Sequence, residues 1–137
     1  MKIQTYLVAW DDVQKNCIEL DEIFMSYGEP ITVINSGTPI NQHWHNVGDI
    51  RYYRQFYYAL KNFDMSNDYM AFLCGDVTYD EWTRVIDRAE YVLSVYTNTA
   101  LYAPHLTHEP WSENASKISE VPYDHKLNIS IQTDGIY

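Results

Sequence analysis

Apolar and polar positions alternate along this chain in blocks that change period. Residues 3–10 close on the apolar run Leu7-Val8-Ala9-Trp10 and predict a first strand. Val13, Cys17, Leu20, Phe24 and Tyr27 follow at steps of four, three, four and three, one face of a helix. Asp11 and Asp12 stand where a helix start would use their side-chain oxygens as caps, and Gly28 with Pro30 ends the run. The β-branched stretch 31–34 predicts a second buried strand, followed by the turn residues Asn35-Ser36-Gly37-Thr38-Pro39. Residues 40–48 are polar and aromatic and read as a loop. Asp49 is placed to cap a second helix whose inward face would be Ile50, Tyr53, Phe56, Tyr57, Leu60 and Phe63.

The third strand is the clearest. Residues 69–74 form a short apolar run expected to be buried, halted by Gly75 and followed at once by Asp76. A third helix is expected over 80–90, with Trp82, Val85, Ile86 and Ala89 facing in. A fourth strand follows over 91–96, and a short extended piece over 101–104. Residues 107–126 read as a long loop, and 127–132 alternate as a last strand leading to Thr133-Asp134-Gly135. Strands alternating with helices predict one α/β domain over residues 1–137, with a mainly parallel, mixed-edge sheet flanked by helices.

Composition narrows the function classes. The 137 residues suit one domain, and 46% apolar content excludes a disordered chain. Nine basic residues against nineteen acidic ones give a net charge of −10. Without a basic run, binding to a nucleic-acid duplex or an anionic membrane surface is not expected. The same charge would repel a nucleotide unless a cation or a local Arg offsets it. Cys17 and Cys74 fall on apolar faces outside any CxxC pair and read as small buried hydrophobes. The pattern holds no secretory or membrane-spanning segment, so a cytoplasmic protein is expected. Thirteen tyrosines supply apolar area with a polar tip, suited to core edges or to a wet cleft.

In an open α/β sheet, ligands bind outside the carboxyl ends of the strands. Three such ends carry polar groups here: Trp10-Asp11, Asn35-Ser36 and Asp76. Asp134 would join them from the last strand. Each has a plainer reading beside it: a helix cap for Asp11, and turns for Asn35-Ser36 and Asp134. Asp76, delivered by an apolar strand and a Gly, is the strongest candidate to present oxygen to a hard cation, and Asp80 four residues on could share the ion. His43, His45, His105 and His108 lack the Cys or HExxH partners of a zinc site, and no P-loop, GxGxxG or GxSxG occurs.

Taken in order, several segments carry a family likeness. They are Thr5-Tyr6-Leu7-Val8-Ala9-Trp10, Val33-Ile34-Asn35-Ser36-Gly37, the helix around Gln55-Phe56, the stretch from Phe72 through Gly75-Asp76 to Trp82, Leu101-Tyr102-Ala103-Pro104, and Thr133-Asp134-Gly135-Ile136-Tyr137. The chain resembles the amino-terminal part of GT-A-type glycosyltransferases, closest to small divergent phage and marine microbial members. The resemblance implies a Rossmann-like nucleotide-diphospho-sugar transferase fold and transfer of a sugar to an acceptor hydroxyl, the acceptor being unknown. It implies that Trp10, Asn35 and Ser36 cradle the base and ribose, and that Asp76 holds a divalent Mn or Mg ion, which Asp80 by its position could share. It gives Asp134 either the catalytic base role or a wall of the sugar pocket. Cys74-Gly75-Asp76 stands where that family has Asp-x-Asp.

Family members continue past the position of Tyr137, so the chain is expected to be truncated at its carboxyl end, with self-association as a consequence. The alternatives are a noncatalytic domain of this fold that binds a nucleotide or a partner protein, and a receiver-like signalling domain suggested by Asp11-Asp12. The receiver pattern lacks its Lys-Pro after a fifth strand.

Overall fold

The computed structural model describes residues 1–76, 82–103 and 130–133, with the backbone alone for 82–86, 100–103 and 130–133. The elements run β1 (Ile3–Ala9), a 3-10 turn (Asp11–Val13), α1 (Gln14–Ser26), β2 (Thr32–Asn35), β3 (His45–Asn46), α2 (Tyr52–Asn62), β4 (Tyr69–Cys74), α3 (Trp82–Val95), β5 (Thr99–Ala103) and β6 (Ser130–Thr133). They fall into two compact units, Met1–Asp80 and Glu81–Tyr137. The fold is α/β. Every strand pairing among the described residues is parallel, without the expected mixed edge.

In the first unit the strand order is β3-β2-β1-β4. β1 is central because it is apolar on both faces: Tyr6, Leu7, Val8 and Ala9 are all buried. Side chains alternate across the strand, so Tyr6 and Val8 share one face and Leu7 and Ala9 the other. Tyr6 and Val8 pack with Ile34 and with Ala59 of α2. Asn35, the register partner of Ala9, bonds to Gln14 of α1. The two helices therefore cover opposite faces of the sheet, as in doubly wound folds.

α1 buries Gln14, Cys17, Leu20 and Phe24, which matches the predicted face except for Tyr27, exposed at the C-cap. The helix ends because Gly28 takes φ +73°. Gly28 N–H then bonds to the Met25 carbonyl and Glu29 N–H to that of Phe24, closing the last turn. The expected caps are absent: Asp11–Val13 form a 3-10 turn, and neither that turn nor α2 has a side-chain cap. The residue before α2 is Arg51 rather than Asp49. The stretch read as a loop over 40–48 contains β3, which pairs with β2, and Trp44 is buried there with its indole N–H on Asp21 Oδ2 at 3.1 Å.

α2 turns a different face to the sheet than its hydrophobicity suggests. Gln55 and Ala59 are buried, whereas Tyr53, Phe56, Tyr57 and Leu60 are exposed. The small Ala59 side chain lets the helix lie close to the sheet. β4 stands at the edge of the sheet and is half-buried along its length, less covered than expected. Phe72 on β4 meets Tyr52 and Phe56 edge-on, with ring centroids 5.6 and 4.9 Å apart.

In the second unit α3 runs on to Val95, so the strand expected over 91–96 is helix. Val92 and Leu93 are buried, β5 begins at Thr99, and β6 pairs with it in parallel. The loop expected over 107–126 lies outside the described residues, as do Asp80 and Asp134. No described helix is long and apolar enough to cross a membrane.

Gly75 is the tightest point of the first unit. A Cβ there would stand 2.5 Å from Cys17 Sγ, 2.5 Å from the Val8 carbonyl oxygen and 2.8 Å from Val13 Cγ2. Gly75→Ala is expected to destabilise the chain by about 2 kcal/mol in urea unfolding. Gly28→Ala, with open space but positive φ, should lose about 1 kcal/mol. Burial, with smaller help from Asp76 and Asp21, pushes the Cys17 thiol from 9.0 up to about 12. The folded state keeps a proton that the unfolded chain releases. This contribution to stability is complete below pH 9.0 and is lost as pH rises toward about 12. Thiol labelling at neutral pH should reach Cys17 only after unfolding; equal labelling rates in the folded and urea-unfolded chain would contradict this.

Candidate functional site

The chain winds outward from β1 through α1 to β2 and β3, then returns through α2 on the opposite face to β4, on the other side of β1. β1 and β4 are thus neighbours, one leading into α1 on one face and the other reached from α2 on the opposite face. In open α/β sheets ligands bind outside the carboxyl ends of such a pair. Val8 is the register partner of Cys74. Trp10-Asp11 and Gly75-Asp76 therefore flank this switch point, and Ser36 stands one strand away beside Ala9.

Buried amides hold the edge together. Asn35 is fully buried. Its Oδ1 accepts from Gln14 Nε2 and from the Gly37 N–H, each at 3.1 Å. Its Nδ2 donates to Asn46 Oδ1 at 2.8 Å and to the Thr38 carbonyl at 3.1 Å. Both donors and both acceptor sites of the amide are used. Gln14 gives its second hydrogen to the same Thr38 carbonyl at 2.6 Å. Asn46 extends the network to the carbonyls of Asn41 and Trp44. One connected set of amides thus joins α1, β2, β3 and the turn between the two strands.

Gln55 performs the same service from the opposite face. It is buried, and its Nε2 donates to the Ala9 carbonyl at 3.2 Å and lies 3.5 Å from that of Ile34. Those are the last carbonyls of β1 and β2 on that side. The bonds fix the first turn of α2 above the carboxyl edge. Tyr52 agrees, its hydroxyl lying 3.4 Å from Cys74 Sγ at the end of β4.

The predicted residues have distinct surroundings. Trp10 is half-buried and packs against the Tyr6, Val8, Ile34 and Ala59 cluster. Ser36 folds its hydroxyl back onto the Ala9 carbonyl at 3.2 Å. Asp11 Oδ1 accepts from the Thr38 N–H at 2.6 Å, so it anchors the β2–β3 turn rather than capping its own helix. Asp76 is exposed, and Asn16 Nδ2 donates to the Gly75 carbonyl just before it at 2.6 Å, fixing the backbone from which Asp76 projects. Trp10, Asn35, Ser36 and Asp76 share the carboxyl edge, as the sequence implied. Asn35 and Ser36 spend their polar side-chain atoms within the protein, Trp10 packs against the core, and Asp76 is exposed. Asp80 and Asp134 lie outside the described residues. Among the described residues no three of His, Cys, Asp and Glu come together as a metal cluster.

Two arginines were not singled out from the sequence. Arg51 and Arg54, both exposed, line a polar cleft with Asp49, Ile50 and Tyr53 at the start of α2. Neither forms an ion pair among the described residues, and Arg54 lies over the Tyr53 ring at 5.8 Å. The signal available in the sequence was their spacing: two cations three residues apart in an otherwise acidic chain, bracketing a helix start.

No family model, curated protein or solved structure matches this chain.

Asn35→Ala removes two acceptor sites and two donors from a sealed network. It is expected to lower stability by about 3 kcal/mol in urea unfolding, well beyond a surface Asn. Asn35→Asp should destabilise as well, because a carboxylate oxygen would face Asn46 Oδ1 and the Thr38 carbonyl. A loss below about 0.5 kcal/mol in both variants would contradict the network.

Proposed function

We propose that the carboxyl edge of the four-stranded sheet binds a nucleotide-diphospho-sugar, and that the chain is a glycosyltransferase or its donor-binding part. The observation that carries the reading is the meeting of Asp76 with the β1–β4 switch point, on the edge above which α2 begins with Arg51 and Arg54. The family resemblance supplies the substrate class.

The chemistry follows from charge. A diphosphate approaching a chain of net charge −10 needs local cations. Arg51 and Arg54 supply two permanent charges, and the α2 N-terminus adds partial positive charge from unpaired N–H groups. Asp76 fits a divalent ion of the Mg²⁺ or Mn²⁺ kind, which commonly takes one or two protein carboxylates and completes its shell with phosphate oxygens and water. Such an ion would offset charge on the departing diphosphate. In the transfer, the bond from the sugar anomeric carbon to the diphosphate oxygen breaks. A bond to the acceptor oxygen forms, and the acceptor proton passes to a carboxylate base. Trp10 offers an aromatic edge to the base or ribose. Asn35 and Ser36 act by holding the edge in shape, since their side chains already bond within the protein.

Thermal unfolding with UDP, GDP, CDP, dTDP and UDP-glucose, with and without Mn²⁺, tests this reading. A ligand at one hundred times its Kd adds about 2.7 kcal/mol, a rise of roughly 10 °C for a chain of this size. One nucleotide should give such a rise with Mn²⁺. Asp76→Ala should remove its metal dependence, and Arg51→Ala should weaken binding about tenfold, equivalent to 1.4 kcal/mol. No rise with any nucleotide, or a rise unchanged in both variants, would refute the site. A rise without release of free UDP from UDP-glucose in the presence of candidate acceptors would leave a donor-binding domain rather than an enzyme.

A further inference from the structure

The sequence from residue 50 to residue 63 contains three cations, Arg51, Arg54 and Lys61, and no acid. This α2 segment carries a third of the nine basic residues in a strongly acidic chain. Its outward face is also apolar: Tyr53 is 61% exposed, Tyr57 58% and Leu60 51%. Lys61 Nζ lies 5.2 Å from the centre of the Tyr57 ring, and Arg54 covers Tyr53. The cations are thus held against the aromatic face they border.

The opposite side of the sheet presents the complement. From residue 11 to residue 29 there are six acids and one base, Lys15. On the exposed side of α1, Ile18 and Met25 stand among Glu19 and Glu22, with exposed Asp12 in the 3-10 turn just before the helix. The spacings match. Tyr53 and Leu60 are seven residues apart, and so are Ile18 and Met25. Within α1 and α2 seven residues are two helical turns, about 10 Å. Arg54 and Lys61 are likewise two turns apart, and the acids on the α1 side are Glu19 and Glu22, with Asp12 in the 3-10 turn before the helix. On α2 an apolar residue directly precedes each of these cations, at Tyr53-Arg54 and Leu60-Lys61, and on α1 Ile18 precedes Glu19.

We infer that the outer face of α2 docks the outer face of α1 of a second copy of this chain. Ile18 and Met25 then cover Tyr53 and Leu60, a contact that suits a thioether against an aromatic ring. The acidic border of Glu19 and Glu22, with Asp12 beyond it, faces the cations Arg54 and Lys61, so the contact and the proposed diphosphate site share Arg54. The two faces lie on opposite sides of one sheet, so the contact is heterologous and does not close into a dimer. Each copy offers a free face to the next, and assembly grows with concentration. Exposed charge pairs are screened by salt, so the assembly weakens as ionic strength rises.

Sedimentation of the 137-residue chain without nucleotide, at about 0.02 M and about 0.5 M salt, tests this. At low salt the mass average should climb with concentration past twice 16.2 kDa, and at high salt it should fall toward 16.2 kDa. Arg54→Glu/Lys61→Glu and Asp12→Lys/Glu19→Lys should each remain monomeric while keeping the wild-type circular dichroism. Mixed in equal amounts, these two variants should assemble again, because each reversed face then meets an opposite charge. A wild type that stays monomeric at low salt, a variant that assembles alone, or a mixture of two folded variants that stays monomeric would overturn the inference.

Discussion

Asn35 carries two donors and two acceptor sites on one short side chain, and the fold seals all of them away from water. A buried primary amide left half-bonded would cost about 1–3 kcal/mol for each orphaned group, so its partners must hold their places. Those partners come from α1, from the turn after β2, and from β3. The two-residue β3 is too short to stand alone as a strand, and the amide network with Trp44 gives it a fixed position. Gln55 repeats the device on the other face, where it bonds to the last carbonyl of β1. The carboxyl edge of a parallel sheet is where the ladder runs out and carbonyls lose their partners. In this protein Gln55 adds a bond to the Ala9 carbonyl, which also accepts from the Ser36 N–H, and Gln14 reaches past the end of β2 to the Thr38 carbonyl.

That solution shapes what the edge can do. Because Asn35, Ser36, Asp11 and Gln55 face inward or bond to neighbouring backbone, the edge is rigid without a ligand. Among the described residues, exposed charged groups there include Asp76 after β4 and Asp49, Arg51 and Arg54 at the start of α2. A frame that presents carboxylates and two guanidinium groups near the switch point suits a ligand that is anionic and able to share a cation. A nucleotide diphosphate has that character. Gly75 is part of the frame, since its missing side chain lets the end of β4 press against Cys17 and Val13 of the α1 side.

Much of this architecture was legible in the residues. The apolar run ending at Gly75-Asp76 and the stepped face Cys17, Leu20 and Phe24 became β4 and α1, because period and punctuation agreed there. α2 misled for a physical reason. Its large residues are mostly tyrosines, whose hydroxyls tolerate water, while its buried face is made by Gln55 and Ala59, one polar and one small. Hydrophobicity alone gives such a face no weight, although Gln55 bonds the Ala9 carbonyl and Ala59 packs with Tyr6, Val8 and Ile34. The segment 91–96 has the β-branched and aromatic composition of a strand, yet it continues a helix that has already formed. Elongating a helix adds a hydrogen bond for each residue fixed, whereas a new strand needs a paired partner. Of the candidate site, the shared edge and Asp76 could be read in advance. The inward roles of Asn35 and Ser36 could not, because turn residues and ligand residues look alike until their partners are placed.

Backbone hydrogen exchange at Gly37 and Thr38 tests the central claim most directly. Both amides lie in a turn near the surface, and among the described residues their bonds are to the side chains of Asn35 and Asp11. If the buried amides hold the carboxyl edge, both should exchange as slowly as β1 amides in the ligand-free chain, and Asn35→Ala should release the Gly37 amide. Exchange at the rate of an open loop in the wild type would contradict the account.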